Sequence, residues 1–174
     1  MKIFEPARFL DQSTQPHITT LIALASISAL AMNIFLPSLP SMAAYYNTTP
    51  SMMSLSVAIY LGASALLQLF SGPISDRIGR RPVILISLIL FIIASLATIW
   101  APNAETFLAL RFVQAFAATT MVLSRAVVRD TVGKEAAASK IAYVTMGMAV
   151  APMIGPGIGG YLDKYFRWQQ YLPY

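Results

Sequence analysis

Few residues in this sequence can do chemistry, and the missing types bound the reaction class. Among 174 residues there is no cysteine and one histidine, His17. Thiol chemistry, disulfides and Cys-based metal sites are excluded, and a histidine triad or His-rich metal centre has too little to build on. The nucleophile-elbow and phosphate-loop patterns are also absent. No catalytic residue, metal or cofactor is expected. What remains is polar chemistry in apolar surroundings. Asn33 sits in a stretch of 64 residues, Gln12 to Ser75, without Asp, Glu, Lys or Arg. Arg111 and Gln114 stand three apart, a spacing that puts both on one helix face. Asp76, Arg77, Arg80 and Arg81 cluster in a short segment, with Asp130 as a distant acidic partner for Arg80. Such groups recognise polar ligands and hold alternative conformations. Asn33 cannot ionise, so it cannot carry a proton.

The elements that position these residues follow from the gaps between charges. Pro82 to Ala104 and Ile141 to Leu162 add charge-free runs of 23 and 22 residues. A bilayer core is crossed by about 20 apolar residues in a helix. Only 11% of the residues are charged and 57% are hydrophobic, with mean hydropathy +0.65; a soluble domain carries about 25% charge. The class is therefore an all-α polytopic membrane protein. Five spans are expected, at about 18–39, 52–73, 83–100, 103–128 and 141–161. Pro37 and Pro40 mark the end of the first, Asn47-Thr48-Thr49-Pro50 a turn, and Ala101-Pro102-Asn103 another. Residues 1–17 form an amino-terminal segment and 18–174 a bundle of five spans that ends at the start of a sixth. His17 lies at the interface. Ala29-Leu30-Ala31 resembles a signal-peptidase site, but the apolar run continues past it, so the first span stays.

Basic residues set the orientation. With the amino terminus inside, Lys2, Arg8, Arg77, Arg80, Arg81, Arg129, Lys134 and Lys140 are cytoplasmic, whereas Lys164 and Arg167 lie outside. The net charge of +5 is spread singly between spans, which speaks for membrane topology and against nucleic acid.

Four motifs carry a family resemblance. Gly72-Pro73-Ile74-Ser75-Asp76-Arg77-Ile78-Gly79-Arg80-Arg81 resembles the G-x-x-x-D-R-x-G-R-[KR] signature of the major facilitator superfamily, in the expected loop after the second span. Gly155-Pro156-Gly157-Ile158-Gly159-Gly160 resembles the antiporter signature G-P-x-x-G-G. It lies on a stripe of small residues, Gly147, Ala151, Gly155 and Gly159, that permits tight helix crossing. The same stretch matches G-x-G-x-x-G but lacks the strand–turn–helix context of a dinucleotide site. Arg111-Phe112-Val113-Gln114 resembles the R-x-x-Q-G-x-G element, with Ala115 and Ala117 where glycines are usual. Asn33-Ile34-Phe35-Leu36-Pro37-Ser38-Leu39-Pro40 resembles the D-x-x-L-P-x-x-P element of bicyclomycin-resistance type drug:proton antiporters, with Asn33 where Asp is usual.

The resemblance implies the amino-terminal part of a major facilitator fold, in which two six-span halves flank the substrate path. It implies a secondary transporter in the bacterial inner membrane, working by multidrug or small-metabolite efflux and proton antiport, with the carboxy-terminal half as a missing partner. Lipid, a small-molecule substrate and protons are then the other partners. A non-transporting membrane subunit, or a decayed truncated transporter, is the alternative. Asn33, Arg111 and Gln114 are the candidates for substrate and coupling. Gly72, Asp76, Arg77, Gly79, Arg80, Arg81 and Asp130 form a candidate conformational latch, and Gly155, Pro156, Gly159 and Gly160 the antiporter-motif helix. Asn33 and Arg111 should be neighbours facing the bundle interior, although Arg111 has the alternative of snorkelling to the outer interface. The third span, an apolar run without a polar handle, should be peripheral.

Overall fold

The computed structural model describes residues 16–131 and 134–166, apart from the side chains of residues 134, 135 and 166. Among these the regular structure is entirely helical. The helices are α1 (Ile18–Asn33), α2 (Leu39–Tyr45), α3 (Pro50–Ile78), α4 (Arg80–Ala97), α5 (Ala104–Gln114), α6 (Ala117–Thr131) and α7 (Lys134–Phe166). They make five segments long and apolar enough to cross a membrane: Ile18–Tyr45, Pro50–Ile78, Arg80–Trp100, Ala104–Thr131 and Ala136–Tyr165. The expected start of a sixth helix lies outside the described residues.

The first, second and fifth spans run past their expected ends. Pro37 and Pro40 do not end the first span. Pro37 sits in the first turn of the 3-10 segment Leu36–Ser38, and Pro40 in the first turn of α2. A proline there removes no helical hydrogen bond, because the first amides of a helix have no intrahelical acceptor. Pro73 lies inside α3, which runs on to Ile78 and stops where Gly79 takes φ +96°. That backbone region is open to glycine and strained for other residues. Pro152 and Pro156 are likewise inside α7, which at 33 residues outlasts the expected fifth span.

The first and fourth spans are both interrupted. Between α1 and α2 the chain turns at Ile34–Phe35. Between α5 and α6 it tightens, with Ala115 N–H donating to Phe112 O at 3.2 Å and Phe116 N–H to Val113 O at 3.1 Å. These are i→i−3 bonds, the 3-10 pattern that marks strain or a hinge when it falls within a helix.

Packing brings the two interrupted spans together, α1 against α6. α1 lies against α6 and α7, α3 against α5 and α6, and α4 against α3, α5 and α6. Between helices in lipid, close packing and polar ties hold the bundle in place of the hydrophobic effect. Accordingly α6 buries Ala117, Ala118, Thr119, Thr120 and Ser124. Thr120 Oγ1 donates to Leu24 O at 2.6 Å, and Tyr60 OH to Ser28 O at 3.1 Å. At one end of the bundle Ser41 Oγ meets Asp163 Oδ1 at 3.0 Å, fastening α2 to α7. Arg80 fastens the opposite end.

Candidate functional site

Arg111 sits two turns into α5, a helix started by Asn103, whose Oδ1 accepts from Thr106 N–H at 2.8 Å. Its side chain is 4% exposed, so it is buried in the bundle and does not snorkel to the interface. Nη1 donates to Gln114 Oε1 at 2.6 Å and to Ala31 O at 3.2 Å. Ala31 lies in the last turn of α1, whose carbonyls lack helical partners and whose dipole favours a cation. The interruption of the first span thus supplies the acceptor. The Phe35 ring, within that interruption, stacks on the guanidinium with Cζ 3.9 Å from its centroid; Tyr60 of α3 lies at 4.9 Å. Contacts of this kind contribute about 2 kcal/mol when shielded from water. Among the described residues Arg111 forms no ion pair, and its Nε and Nη2 are buried without an acceptor.

Gln114 completes the group. Its Oε1 takes Arg111, and its Nε2 donates to Ser95 Oγ of α4 at 3.2 Å. The third span therefore has polar handles after all. Ser95 and Thr98 line the site, and Ser87 is buried further along α4. Serine is small and only mildly polar, so an apolar run hides it from a reading by hydropathy. A cavity of about 170 Å³ adjoins Arg111 and Gln114, walled by Phe35, Met42, Phe91 and Phe107. All of its lining comes from the first, third and fourth spans.

Asn33 is not part of this group. Its Nδ2 donates to Ala29 O at 2.7 Å, within its own helix. Its Cβ lies against α7, 3.6 Å from where a side chain on Gly155 would begin. Asn33 and Ala31, whose carbonyl takes Arg111, lie on different faces of α1, and among the described residues Asn33 makes no hydrogen bond to Arg111, so the expected pair does not form. Two positions separate Ala31 from Asn33, which turns a helix by about 200° at 3.6 residues per turn. Equal depth does not imply a shared face. Phe35, Tyr60 and Ser95, which do surround the arginine, were not singled out in the sequence. Phe35 had a signal, since it lies within the same proline-rich element as Asn33.

The antiporter-motif residues pack on the first span. A Cβ at Gly159 would run into the carbonyl of Ile34, and one at Gly160 would stand 3.7 Å from Pro37 Cβ. Gly155 is buried and Pro156 half-buried. Gly157 faces open space.

At the far end Arg80 is held three ways. Nη2 meets Asp76 Oδ1 at 2.5 Å, Nε meets Asp130 Oδ2 at 3.0 Å, and Nη1 donates to the buried Ser75 hydroxyl. Asp76 takes the arginine, and among the described residues no backbone amide donates to its side chain. Arg77 and Arg81 are exposed. Gly79 makes the turn, whereas nothing described lies within 4 Å of a Cβ added at Gly72. Asp76 is 62% and Asp130 46% exposed, against 21% for Arg80. Pairs this wet contribute at most about 1 kcal/mol each.

Residues 21–171 match the Major Facilitator Superfamily along nearly the whole bundle. The chain belongs to that family. Its members are transporters and not enzymes, and this chain is an integral membrane protein. It is 33% identical over 159 residues to the bicyclomycin resistance protein homolog of Haemophilus influenzae, which covers 91% of this chain and 40% of that protein. It is 36% identical to the chloramphenicol resistance protein of Pseudomonas aeruginosa, over 82% of this chain and 35% of that protein. Multidrug resistance protein D of Escherichia coli is 31% identical over 86% of this chain and 38% of its own length. The chain spans about two fifths of the length of these relatives, aligning to the amino-terminal part of the major facilitator fold.

Proposed function

We propose that this bundle is the amino-terminal half of a drug or small-metabolite exporter driven by proton antiport. The observation that carries the reading is Arg111, a buried cation with two free donors between interrupted first and fourth spans. Broken helices and intramembrane charge are how transporter folds build binding sites. Residues 1–17 and the Arg80 end face the cytoplasm of a bacterial inner membrane, in keeping with the basic residues there. A second bundle forms the other wall of the substrate path, and Arg111, Gln114 and Asn33 serve binding or coupling. The named activities of the relatives make chloramphenicol and bicyclomycin the first substrates to try. In everted vesicles, adding drug should discharge the pH gradient when this bundle is joined to the carboxy-terminal part of a relative. The 174 residues alone should insert without discharging it. Discharge by this chain alone as a monomer would refute the two-bundle reading.

Among the described residues the acidic side chains stay near the span ends. Asp76, Glu105 and Asp130 are exposed, and Asp163 is half-buried beside Ser41. The proton carrier at mid-membrane therefore belongs to the second bundle. With every acidic residue there neutralised, coupling should vanish, and Asn33→Asp should restore part of it. Coupling that persists without Asn33→Asp would place the carrier in this chain.

The Arg80 cluster acts as a latch on the cytoplasmic end. Exposed pairs of up to about 1 kcal/mol each shift a two-state equilibrium by about two- to fivefold. Arg80→Ala, which removes both pairs, should lower turnover by up to about 25-fold and leave substrate affinity nearly unchanged. Turnover equal to the parent would leave the cluster a role in topology alone.

A further inference from the structure

We infer that the Arg111 pocket binds a small apolar monocarboxylate, which names a ligand class for the site in the transport reading above and rests on that reading. Guanidinium donors are not interchangeable. Nη1 is committed to Gln114 Oε1 and Ala31 O. The two buried nitrogens left without an acceptor are Nε and Nη2. Their N–H groups lie parallel along one edge of the plane, the two-pronged arrangement that matches both oxygens of a carboxylate. The described residues offer Arg111 no carboxylate. None of the cavity-lining residues is acidic, and among the described residues Arg111 has no ion-pair partner. An organic cation would meet a fixed positive charge with nothing to offset it. A neutral amide offers one uncharged oxygen for both prongs to share, a weaker contact than the charge-assisted pair to a carboxylate.

The walls define the rest of the ligand. Phe35, Phe91, Phe107 and Met42 present rings and a thioether, while Ser95 and Thr98 add two hydroxyls. Thr98 Oγ1 already donates to Ser95 O at 2.6 Å, and Ser95 Oγ accepts from Gln114. One charged fork set in an apolar chamber suits one carboxylate on an apolar body. A dry cavity of about 150 Å³ is enough for a benzene ring, so about 170 Å³ takes a body of that size. Both free donors are covered in this structure, so the carboxylate reaches them as neighbouring side chains give way. Phe35 is the one set in an interrupted stretch of backbone, where a small rotation at Ile34–Phe35 carries the ring off the guanidinium.

The test is binding by the purified chain in lipid nanodiscs, followed calorimetrically, with benzoate, benzamide and benzylammonium as probes. Benzoate should bind at least about tenfold more tightly than either of the others. Arg111→Gln should abolish the preference, and Arg111→Lys should weaken it, since one ammonium cannot form the two-pronged contact. Phe91→Ala leaves the arginine alone and enlarges the chamber, so it should admit 2-naphthoate, which the parent excludes. Equal binding of benzoate and benzamide, benzoate binding unchanged in Arg111→Gln, or no benzoate binding by a folded parent each overturns the inference. None of these readouts uses transport. Benzoate held at Arg111 by this chain, with no export when the bundle is joined to the carboxy-terminal part of a relative, would retire the transport reading and leave the pocket standing.

Discussion

Arg111→Met is expected to leave the bundle as stable as before, or more stable, while reducing to background the efflux proposed for the bundle joined to a second half. Keeping a cation here costs several kcal/mol. Insertion scales put arginine at mid-membrane at about 2.5–3.5 kcal/mol, and two unsatisfied donors add about 1–3 kcal/mol each. Against this stand the two bonds from Nη1 and the stacking of Phe35 and Tyr60. Bonds to a charged group contribute about 1.5–3 kcal/mol each, and the ring contacts up to about 2 kcal/mol each when desolvated. The opposing sums are similar, which is the situation in which an apolar residue of like volume replaces a buried charge without loss. Methionine is unbranched and keeps its contacts with the rings. Removing only the acceptor should behave in the opposite way. Gln114→Leu strips Nη1 of its shortest bond and should destabilise by about 1–3 kcal/mol. In an Arg111→Met background the same change should cost much less, giving a coupling measurable by a double-mutant cycle. Unfolding in a denaturing-detergent titration supplies the stabilities, and drug-induced discharge of a pH gradient supplies the activity. If Arg111→Met unfolds the protein, the arginine is a structural brace and its functional role loses its basis.

The number and order of spans were legible in the sequence because each rests on a run of apolar residues bounded by charge or turn residues. The bilayer fixes the length of such a run. Arg111 and Gln114 were also legible, since a three-residue spacing is a statement about one helix. Relations between helices were not. Arg111 meets the last turn of α1, which also holds Asn33, but the rotation of α1 about its axis decides which neighbour each polar atom meets. That rotation is set by Gly155 and Gly159 packing against residues 30–34. The prolines misled for a related reason. Pro37, Pro40 and Pro73 have one identity but three settings, and only position within a helix separates a stop from a start. Ser95 was lost in an apolar run because one hydroxyl barely changes mean hydropathy, although it anchors Gln114.

Gly159→Ala should be the most damaging single-methyl change in the fifth span, far worse than Gly157→Ala two residues away. The added Cβ at Gly159 would overlap the carbonyl of Ile34, which is backbone and cannot rotate aside. Relief requires α7 to move off α1 just where the first span is interrupted and where Ile34 caps α1. Overpacking costs about 1–3 kcal/mol when side chains can adjust, and this contact lies at or beyond the upper end. About 3 kcal/mol corresponds to more than a hundredfold in the folded ratio at about 1.4 kcal/mol per tenfold. The other glycines grade the effect. At Gly147 the obstacle is the Ile22 side chain, 2.5 Å from the added atom at its nearest carbon, so a rotamer change absorbs part of the strain. At Gly155 the nearest atoms are Asn33 Cβ and Leu30 Cδ2 at 3.6 Å, an ordinary contact, and alanine should be tolerated. At Gly157 nothing lies within 4 Å, and alanine should raise helix propensity without a clash. The expected order of damage is therefore Gly159, Gly147, then Gly155 with Gly157. The yield of monodisperse protein in mild detergent, followed by a denaturing-detergent titration, measures it. A Gly159→Ala protein as stable as Gly157→Ala would mean that α7 does not pack its backbone on Ile34. The family's glycine signature would then be explained by motion during transport and not by the fit of two helices.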